Sequence, residues 1–357
     1  MDKLRLGVIG AGAWTVTSHL PNFAKRRDEV EFVAVCRKGS DLLADVQREW
    51  GFARASEDYR DVLDAGVDVC LVASPPGLHH EHALAALEAG AHVLVEKPMT
   101  IPPADAWDLV RAAERLERHL LLSFGWNYMP MLRKAKAIMA EPGVGTIEQL
   151  ALRMSSTTRE LLANAGSYPH ALPGTVPDPA TWTNPTLSGG GYAQAQLTHA
   201  LGIALWLTGL EGESAFAFMS APMSAPVELH DAVALRFRGG AVGTMAGGSS
   251  HVGAGGNKHS VELQVIGSEG QFLLDLEREA LWLFRPDQGD VRPKLDPDAG
   301  LYNCDGPPNA LIDLALGLPV ENCSPGWLGA RTVDVLDACY RSAREGQSVT
   351  VIGEHEA

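Results

Sequence analysis

Residues 4–15 read LRLGVIGAGAWT, and this stretch decides the fold of the first third of the chain. The apolar run from Leu4 to Gly10 predicts a buried β-strand, and the following residues predict a helix over Ala13 to Arg27. Between them, Gly10 allows a tight turn and Gly12 lets the backbone approach a pyrophosphate at the helix N-terminus. A strand, a glycine turn and a helix in this order indicate a dinucleotide-binding unit.

The turn departs from the usual dinucleotide pattern at its third glycine, which is replaced by Thr15. We therefore expect the helix and the strand to pack slightly further apart there. Ala13 begins the predicted helix, and Trp14 follows it. The Trp14 indole either covers a bound cofactor or packs in the core, and the sequence leaves both possibilities open. The cofactor-binding candidates of this turn are Gly10, Gly12, Ala13 and Trp14.

The end of the second predicted strand, Val30 to Cys36, bears on the choice of cofactor. NAD enzymes usually place an acid here for the ribose 2′-hydroxyl, whereas NADP enzymes place a cation near the 2′-phosphate. In this chain Arg37 and Lys38 follow the strand, and no acid comes before Asp41. Arg37 can hold a phosphate through two hydrogen bonds, and Ser40 can donate a third. These residues predict NADP, with NAD as the alternative and ordinary surface charge as the other explanation of both cations.

Strand and helix patterns alternate through the first third of the chain. Repeated β-α units with continuous apolar strands predict a parallel sheet with helices on both faces. We therefore expect a doubly wound nucleotide-binding domain at residues 1–124. From residue 125 this alternation ends. A polar, Pro-rich segment over Ser156 to Pro185 shows no periodicity, and we expect it to be functional. After it, short strands and turn signals dominate. Residues 125–357 are predicted to form a second domain with a large, mostly antiparallel sheet. The fold class is α/β.

Composition excludes several classes of function. The formal net charge is −15, from 44 acidic and 29 basic residues, and no basic stripe offsets it, so we expect no nucleic-acid partner. No apolar run reaches the length of a membrane span, and the N-terminus lacks the pattern of a secretory signal. The cysteines lack the spacing of metal ligands, and we expect a cytoplasmic protein with reduced thiols. These are Cys36, Cys70, Cys304, Cys323 and Cys339.

The stretch GAHVLVEKPMT, residues 90–100, ends a predicted buried strand with an acid, a base and a proline. Together with the other motifs, it makes the whole chain resemble the Gfo/Idh/MocA family, named for glucose–fructose oxidoreductase, inositol 2-dehydrogenase and a rhizopine-catabolism protein. The resemblance rests on the order of several blocks: LGVIGAGAW, VCLVASPPGLHHEHALAALEAGAHVLVEKPMT, FGWNYMP, SGGGYAQAQLTHALGIALWLTG, GSEGQF and DACYRSAREGQSV.

The resemblance implies an N-terminal Rossmann domain and a C-terminal α/β domain with an open sheet. It implies that NAD(P) binds between them, and that the sheet serves as the interface of a homodimer or homotetramer. Most relatives oxidise a hydroxyl, or reduce a ketone, on a sugar, a cyclitol or a related polyol. The expected substrate is therefore a small polyhydroxylated molecule.

The resemblance also assigns roles at the strand ends of the first domain. Ser74, Pro75 and His79 match the family segment beside the nicotinamide ribose. Lys97 would reach the substrate hydroxyl, and Glu96 would help to position the cofactor. Relatives often have the bond between Lys97 and the next proline in the cis form. A surface salt bridge at the strand end is the alternative explanation of Glu96 and Lys97.

A second pair of catalytic residues is only half present. The family commonly has Asp-x-x-x-His on the helix after the glycine run. His199 matches the histidine, but the aspartate position is Ala195. Gln196 and Tyr192 lie within a turn or two of His199 on the same predicted helix, so they can line the substrate site. Glutamine can orient an imidazole but supplies no charge, so His199 should be less basic than in the usual pair.

Other residues match substrate-site positions of the family. Asn127 and Tyr128 stand where relatives usually read Asn-Arg, and the loss of the cation favours a neutral substrate. Trp182 matches a tryptophan near the sugar. His79, His80 and His82 lack the pattern of a metal site, and we expect no metal.

Two other functions remain as alternatives to a dehydrogenase. One is a glycoside-cleaving or lyase-type enzyme that uses a tightly bound cofactor in an internal redox cycle, which the missing aspartate keeps open. The other is a cofactor-binding regulator without catalysis, against which the presence of both Lys97 and His199 argues.

Overall fold

A computed structural model describes residues 2–166, 177–251 and 259–354. Contacts divide these residues into two units. The first contains residues 2–125, 177–178 and 304–330, and the second contains the remainder. In the described part of the chain, no helix is long and apolar enough to cross a bilayer.

The first unit is built on six parallel strands in the order β3-β2-β1-β4-β5-β6. Its strands are nearly continuous apolar runs because a parallel sheet is covered on both faces, and all four residues of β4 are buried. The strands are β1 Leu4–Ile9, β2 Val30–Cys36, β3 Arg54–Ser56, β4 Val69–Val72, β5 His92–Val95 and β6 Leu120–Leu122. The helices are α1 Leu20–Ala24, α2 Ser40–Trp50, α3 Tyr59–Leu63, α4 His79–Glu88, α5 Pro103–Arg115 and, later in the chain, α11 Gly306–Ala315.

The first helix differs from the prediction of one α-helix over Ala13 to Arg27. A π-helical turn, Thr15–His19, comes first, and α1 follows it with Pro21 in its first turn. Proline has no N–H to donate, so the regular α-helical ladder is interrupted there. The wider turn places His19 with its side chain fully buried.

The second unit is built on nine strands in the order β14-β13-β12-β11-β7-β10-β9-β8-β15, antiparallel except for the β7–β10 pair. Buried and exposed residues alternate along its strands, so one face of the sheet packs on helices and the other is open. The strands are β7 Ile147–Ser156, β8 Gly212–Ser220, β9 His230–Phe237, β10 Val242–Ser249, β11 Ser260–Gly267, β12 Gly270–Asp275, β13 Ala280–Arg285, β14 Gly289–Val291 and β15 Val349–Thr350.

The helices of the second unit include three short ones within or beside the segment predicted to be irregular, Ser156 to Pro185. Part of that segment, residues 167–176, lies outside the described residues. The helices are α6 Pro130–Ala140, α7 Arg159–Leu162, α8 Pro179–Trp182, α9 Pro185–Ser188, α10 Thr198–Thr208 and most of α12 Gly326–Glu345. A second π-helical turn, Ala193–Leu197, precedes α10. The predicted α/β class, with a doubly wound parallel sheet and a mostly antiparallel one, is confirmed.

Candidate active site

The register of the parallel sheet places four strand ends side by side. Ile9 pairs with both Cys36 and Val72, and Val72 pairs with Val95. The residues after these strands therefore lie along one edge of the sheet, which is where open α/β sheets bind ligands. This edge collects the glycine turn, Arg37, the segment from Ser74 to His79, and the pair Glu96 and Lys97.

The glycine turn has the shape that a pyrophosphate needs. Gly10 has φ +96°, and a Cβ there would fall 2.3 Å from the backbone nitrogen of Ser74, so no other residue fits. A Cβ at Gly12 would meet no atom within 4 Å, so the backbone is open to a ligand on that side. The Thr15 hydroxyl donates to the Gly10 carbonyl at 2.8 Å. Trp14 is 40% exposed beside Ala13, which excludes the core position considered for this indole.

Arg37 lies against the same turn. Its Nη1 donates to the Ala11 carbonyl at 2.7 Å, and partial burial lowers its pKa. Lys38 and Ser40 are exposed beside it. The backbone N–H of Gly39 donates to Glu57 Oε1 at 3.0 Å, which places an acid at this strand end as well. Glu57 was not predicted here because it follows β3, a strand of three residues that is too short to show a pattern.

His79 is fully buried and connects two loops of the edge. Its Nε2 lies 2.6 Å from the Ser74 carbonyl oxygen, and its Nδ1 lies 2.9 Å from the Pro98 carbonyl oxygen. Burial lowers its pKa. The ring thus positions the segment of Ser74 and Pro75 against the residue that follows Lys97.

The neighbouring histidines have different partners. His80 Nε2 lies 2.8 Å from Asp108 Oδ2, and His82 Nδ1 lies 2.9 Å from Ser74 Oγ. Among the described residues, no three His, Cys, Asp or Glu side chains are grouped as metal ligands would be.

Glu96 and Lys97 follow β5 at this edge, and the bond from Lys97 to Pro98 is cis. Glu96 Oε1 lies 2.6 Å from Nε2 of His19, and Oε2 accepts the backbone N–H of Lys97 at 3.0 Å. Burial alone would raise the pKa of Glu96, but hydrogen bonding and charge from His19, the charge of Lys97 and a hydrogen bond with Ser123 lower it to about 2. Burial lowers the pKa of Lys97, and Glu96 and Cys304 oppose that shift.

His199 lies in an aromatic cluster of the second unit. Its ring is 5% exposed in the first turn of α10, one turn after Ala195. The Trp126 indole packs edge-to-face on the His199 ring, with ring centroids 5.0 Å apart. The centroid of the Tyr302 ring lies 6.3 Å from that of His199. The His259 ring also lies edge-to-face with Trp126, with ring centroids 5.4 Å apart. None of Trp126, Tyr302 and His259 was predicted as a site residue, although Trp126 stands within the FGWNYMP block.

The other predicted substrate residues differ in exposure. Tyr192 is fully buried, and its hydroxyl accepts a hydrogen bond from Ser156 Oγ at 3.0 Å. Asn127 is also fully buried, and Gln196 is 8% exposed in the π-helical turn before α10. Tyr128 and Trp182 are partly exposed.

A buried acidic group supports the start of the π-helical turn. The Glu228 carboxylate accepts the backbone N–H groups of Gly191 and Ala193 at 2.8–3.1 Å and the Tyr340 hydroxyl at 2.6 Å. Asp231, 4% exposed, lies nearby with both carboxylate oxygens unpaired in the described part of the chain. Burial raises the pKa of both acids, and the charge of Glu228 raises that of Asp231 further.

Comparisons with known proteins agree with this architecture. The family model described as "Oxidoreductase family, NAD-binding Rossmann fold" matches residues 4–124, and the "GFO/IDH/MocA C-terminal domain" matches residues 132–273. Levoglucosan dehydrogenase of Pseudarthrobacter phenanthrenivorans is 25% identical over 82% of this chain and 79% of its own. Myo-inositol 2-dehydrogenase of Thermotoga maritima is 26% identical, over 80% of each chain.

A solved structure has the same fold over nearly the whole chain. It is that of levoglucosan dehydrogenase in complex with NADH and levoglucosan, with a TM-score of 0.78, 21% identity, and coverage of 98% of this chain and 100% of that one. Since the two family models together match well over half of the residues, this chain belongs to the Gfo/Idh/MocA oxidoreductase family.

Proposed function

We propose that this protein is an NAD(P)-dependent dehydrogenase that oxidises a hydroxyl of a neutral sugar, cyclitol or related polyol, or reduces the corresponding ketone. One observation carries the proposal: Lys97, with Glu96 beside it, follows β5 at the same sheet edge as the open glycine turn after β1. A proton-transfer group thus lies at the edge where the cofactor-binding turn is.

The cofactor, when bound, supplies the acceptor for the hydride, and the chain supplies the proton transfer. We assign that transfer to Nζ of Lys97, whose pKa burial lowers toward the working range. We place His199 in the active site as a secondary group. Tyr128 in place of the usual cation favours a neutral substrate, and the substrate contacts that we propose include Asn127, Trp182 and Gln196.

Three finer points belong to the same proposal. Arg37, Lys38 and Ser40 favour NADP over NAD. The open face of the second sheet is the interface through which the chain assembles as a homodimer or homotetramer. A cytoplasmic location suits the five free cysteines.

The test is an absorbance assay at 340 nm with NADP or NAD and a panel of levoglucosan, myo-inositol and D-glucosides. Net cofactor reduction with one of these substrates supports the proposal. Product without net reduction would indicate an internal redox cycle, and tight cofactor binding without turnover on a broad panel would indicate a sensor. Either result would overturn the dehydrogenase assignment.

A further inference from the structure

His19 and Glu96 make one of the shortest buried polar contacts between side chains distant in sequence. Nε2 of His19 lies 2.6 Å from Oε1 of Glu96, and the two residues are 0% and 8% exposed. An ionised carboxylate only accepts hydrogen bonds, so Nε2 carries the hydrogen. The second oxygen, Oε2, accepts the backbone N–H of Lys97. The carboxylate is therefore held between the imidazole and the backbone of the lysine itself.

This contact decides the charge that faces Lys97. A carboxyl group as buried as Glu96 would tend to be neutral, and the hydrogen bond and charge of His19 are the strongest influences that lower its pKa to about 2. The pKa of Lys97 is lowered by burial, and the Glu96 charge is the main influence that opposes this. The protonation state of Lys97 therefore depends on whether Glu96 is ionised, and the ionisation of Glu96 depends on His19.

We propose that His19 is a positioning residue for Lys97, which keeps the Glu96 carboxylate ionised and in place and thereby sets how readily the lysine gives up and takes back its proton. The inference rests on the proposed function. In alcohol oxidation the substrate O–H bond breaks as its proton moves to the Lys97 amine. The hydrogen on the same carbon would leave with the electron pair of its C–H bond, as a hydride that a bound oxidised nicotinamide would accept, and the carbonyl would form. Nζ must be neutral when this begins.

The test measures Lys97 directly, without a substrate. The side-chain amine is followed by ¹⁵N NMR in lysine-labelled protein across pH, and its signal is assigned by its absence in Lys97→Met. In His19→Leu the carboxyl of Glu96 loses its donor and becomes neutral more easily. The pKa of Lys97 should then fall by about one unit or more. The acid limb of the turnover profile should move down in pH by the same amount.

Two further variants separate positioning from a structural role. In His19→Gln the side-chain amide can donate from nearly the position of Nε2, so the Lys97 titration should return most of the way to that of the parent. His19→Leu with Glu96→Gln removes the carboxylate together with its donor, so Lys97 should titrate as it does in Glu96→Gln alone. His92→Gln is the matched control, since His92 is a half-buried histidine at the opposite end of β5. It should leave Lys97 unchanged.

An unchanged Lys97 titration in folded His19→Leu would overturn the inference, as would a His19→Gln protein that behaves like His19→Leu. The proposed function fails by a different result, full turnover in Lys97→Met. In that case Lys97 would not be the proton-transfer group, and His19 would have no role in catalysis through it.

Discussion

The indole of Trp126 packs edge-to-face against the imidazole of His199, with ring centroids 5.0 Å apart and planes at 88°. Relatives commonly hold this histidine with an aspartate one turn earlier, where this chain has Ala195. An aromatic face orients an imidazole by shape and quadrupole, and it does not supply the negative charge of a carboxylate. The ring is therefore oriented by an aromatic side chain at the place where relatives have a carboxylate.

Removing the Trp126 face should release the His199 ring. An aromatic pair of this kind contributes about 0.5–1.5 kcal/mol beyond its buried area, so Trp126→Leu should lower turnover up to about tenfold. Trp126→Phe keeps an aromatic face and should retain most of the activity. Steady-state kinetics of the two variants, with thermal unfolding to confirm that both are folded, would check this. Equal activity of the leucine and parent proteins would mean that the contact is only packing.

The division of work between Lys97 and His199 follows from the same difference. Lys97→Met keeps the bulk of the stem but removes the amine, so turnover should fall by about two orders of magnitude or more while cofactor binding survives. His199→Asn should lower turnover by a smaller factor than Lys97→Met does. The comparison requires turnover of both variants and a fluorescence titration with NADPH. A greater loss in His199→Asn would make the histidine the principal base despite Ala195.

Cofactor choice depends on Arg37 and on the acid that lies near it. If Arg37 holds a 2′-phosphate, the parent should bind NADPH more tightly than NADH, and Arg37→Asp should reverse the order. Glu57→Gln removes the carboxylate that accepts the Gly39 N–H, and it should strengthen NADPH binding by removing negative charge. Fluorescence titrations with both cofactors measure these effects, with Arg48→Asp on the exposed face of α2 as the control. Equal affinities in the parent would refute the assignment to NADP.

Asp231 should destabilise the folded protein at neutral pH. Burial raises its folded-state pKa well above the usual value, so the folded state keeps a proton that the unfolded chain releases. The cost is absent below the unfolded pKa of about 3.9 and grows by about 1.4 kcal/mol for each pH unit above it, until the folded-state pKa is reached. Asp231→Asn should therefore raise the melting temperature at pH 7, and the gain should vanish toward pH 4.

A matched control for this prediction is Asp275, which is also buried in the second sheet but accepts hydrogen bonds from Arg278. Asp275→Asn should lower the melting temperature because it weakens a formed pair. If Asp231→Asn is destabilising at every pH, the carboxylate has a partner that contributes to folding.

The open face of the second sheet should form the subunit interface. One row of paired residues crosses seven strands on this face, with small side chains at its centre and large apolar ones at its ends. The row is Phe216, Ala234, Thr244, Ala151, Gln264, Leu273 and Trp282. A contiguous face of this kind is typical of an interface.

Light scattering at micromolar concentration should therefore give a dimer or a tetramer. Ala234→Arg adds a large charged side chain at the centre of the row and should dissociate the assembly. Leu318→Arg introduces the same residue at an exposed apolar position of the first unit, and it should leave the assembly intact. A monomeric parent protein would refute the prediction.

The fold class and the residues of the sheet edge were predictable because their signals are local. A buried parallel strand is a continuous apolar run, and Gly10 is required by a turn that lies within a few residues of it. Glu96 and Lys97 directly follow such a strand, so the sequence alone places them where ligands bind. The edge strands β3, β14 and β15 were missed, since runs of two or three residues show no period.

Only the tertiary structure revealed which groups act on these residues. His19 reaches Glu96 across 77 positions, and Glu57 reaches Gly39 across 18. Trp126 meets His199, and Asp231 is buried, through packing that no spacing in the sequence encodes. Periodicity specifies the face that a residue occupies within its own element, whereas protonation and ring orientation depend on neighbours from other elements. The sequence by itself therefore determined the fold and where Lys97 lies, and the folded chain decided the charge that faces it.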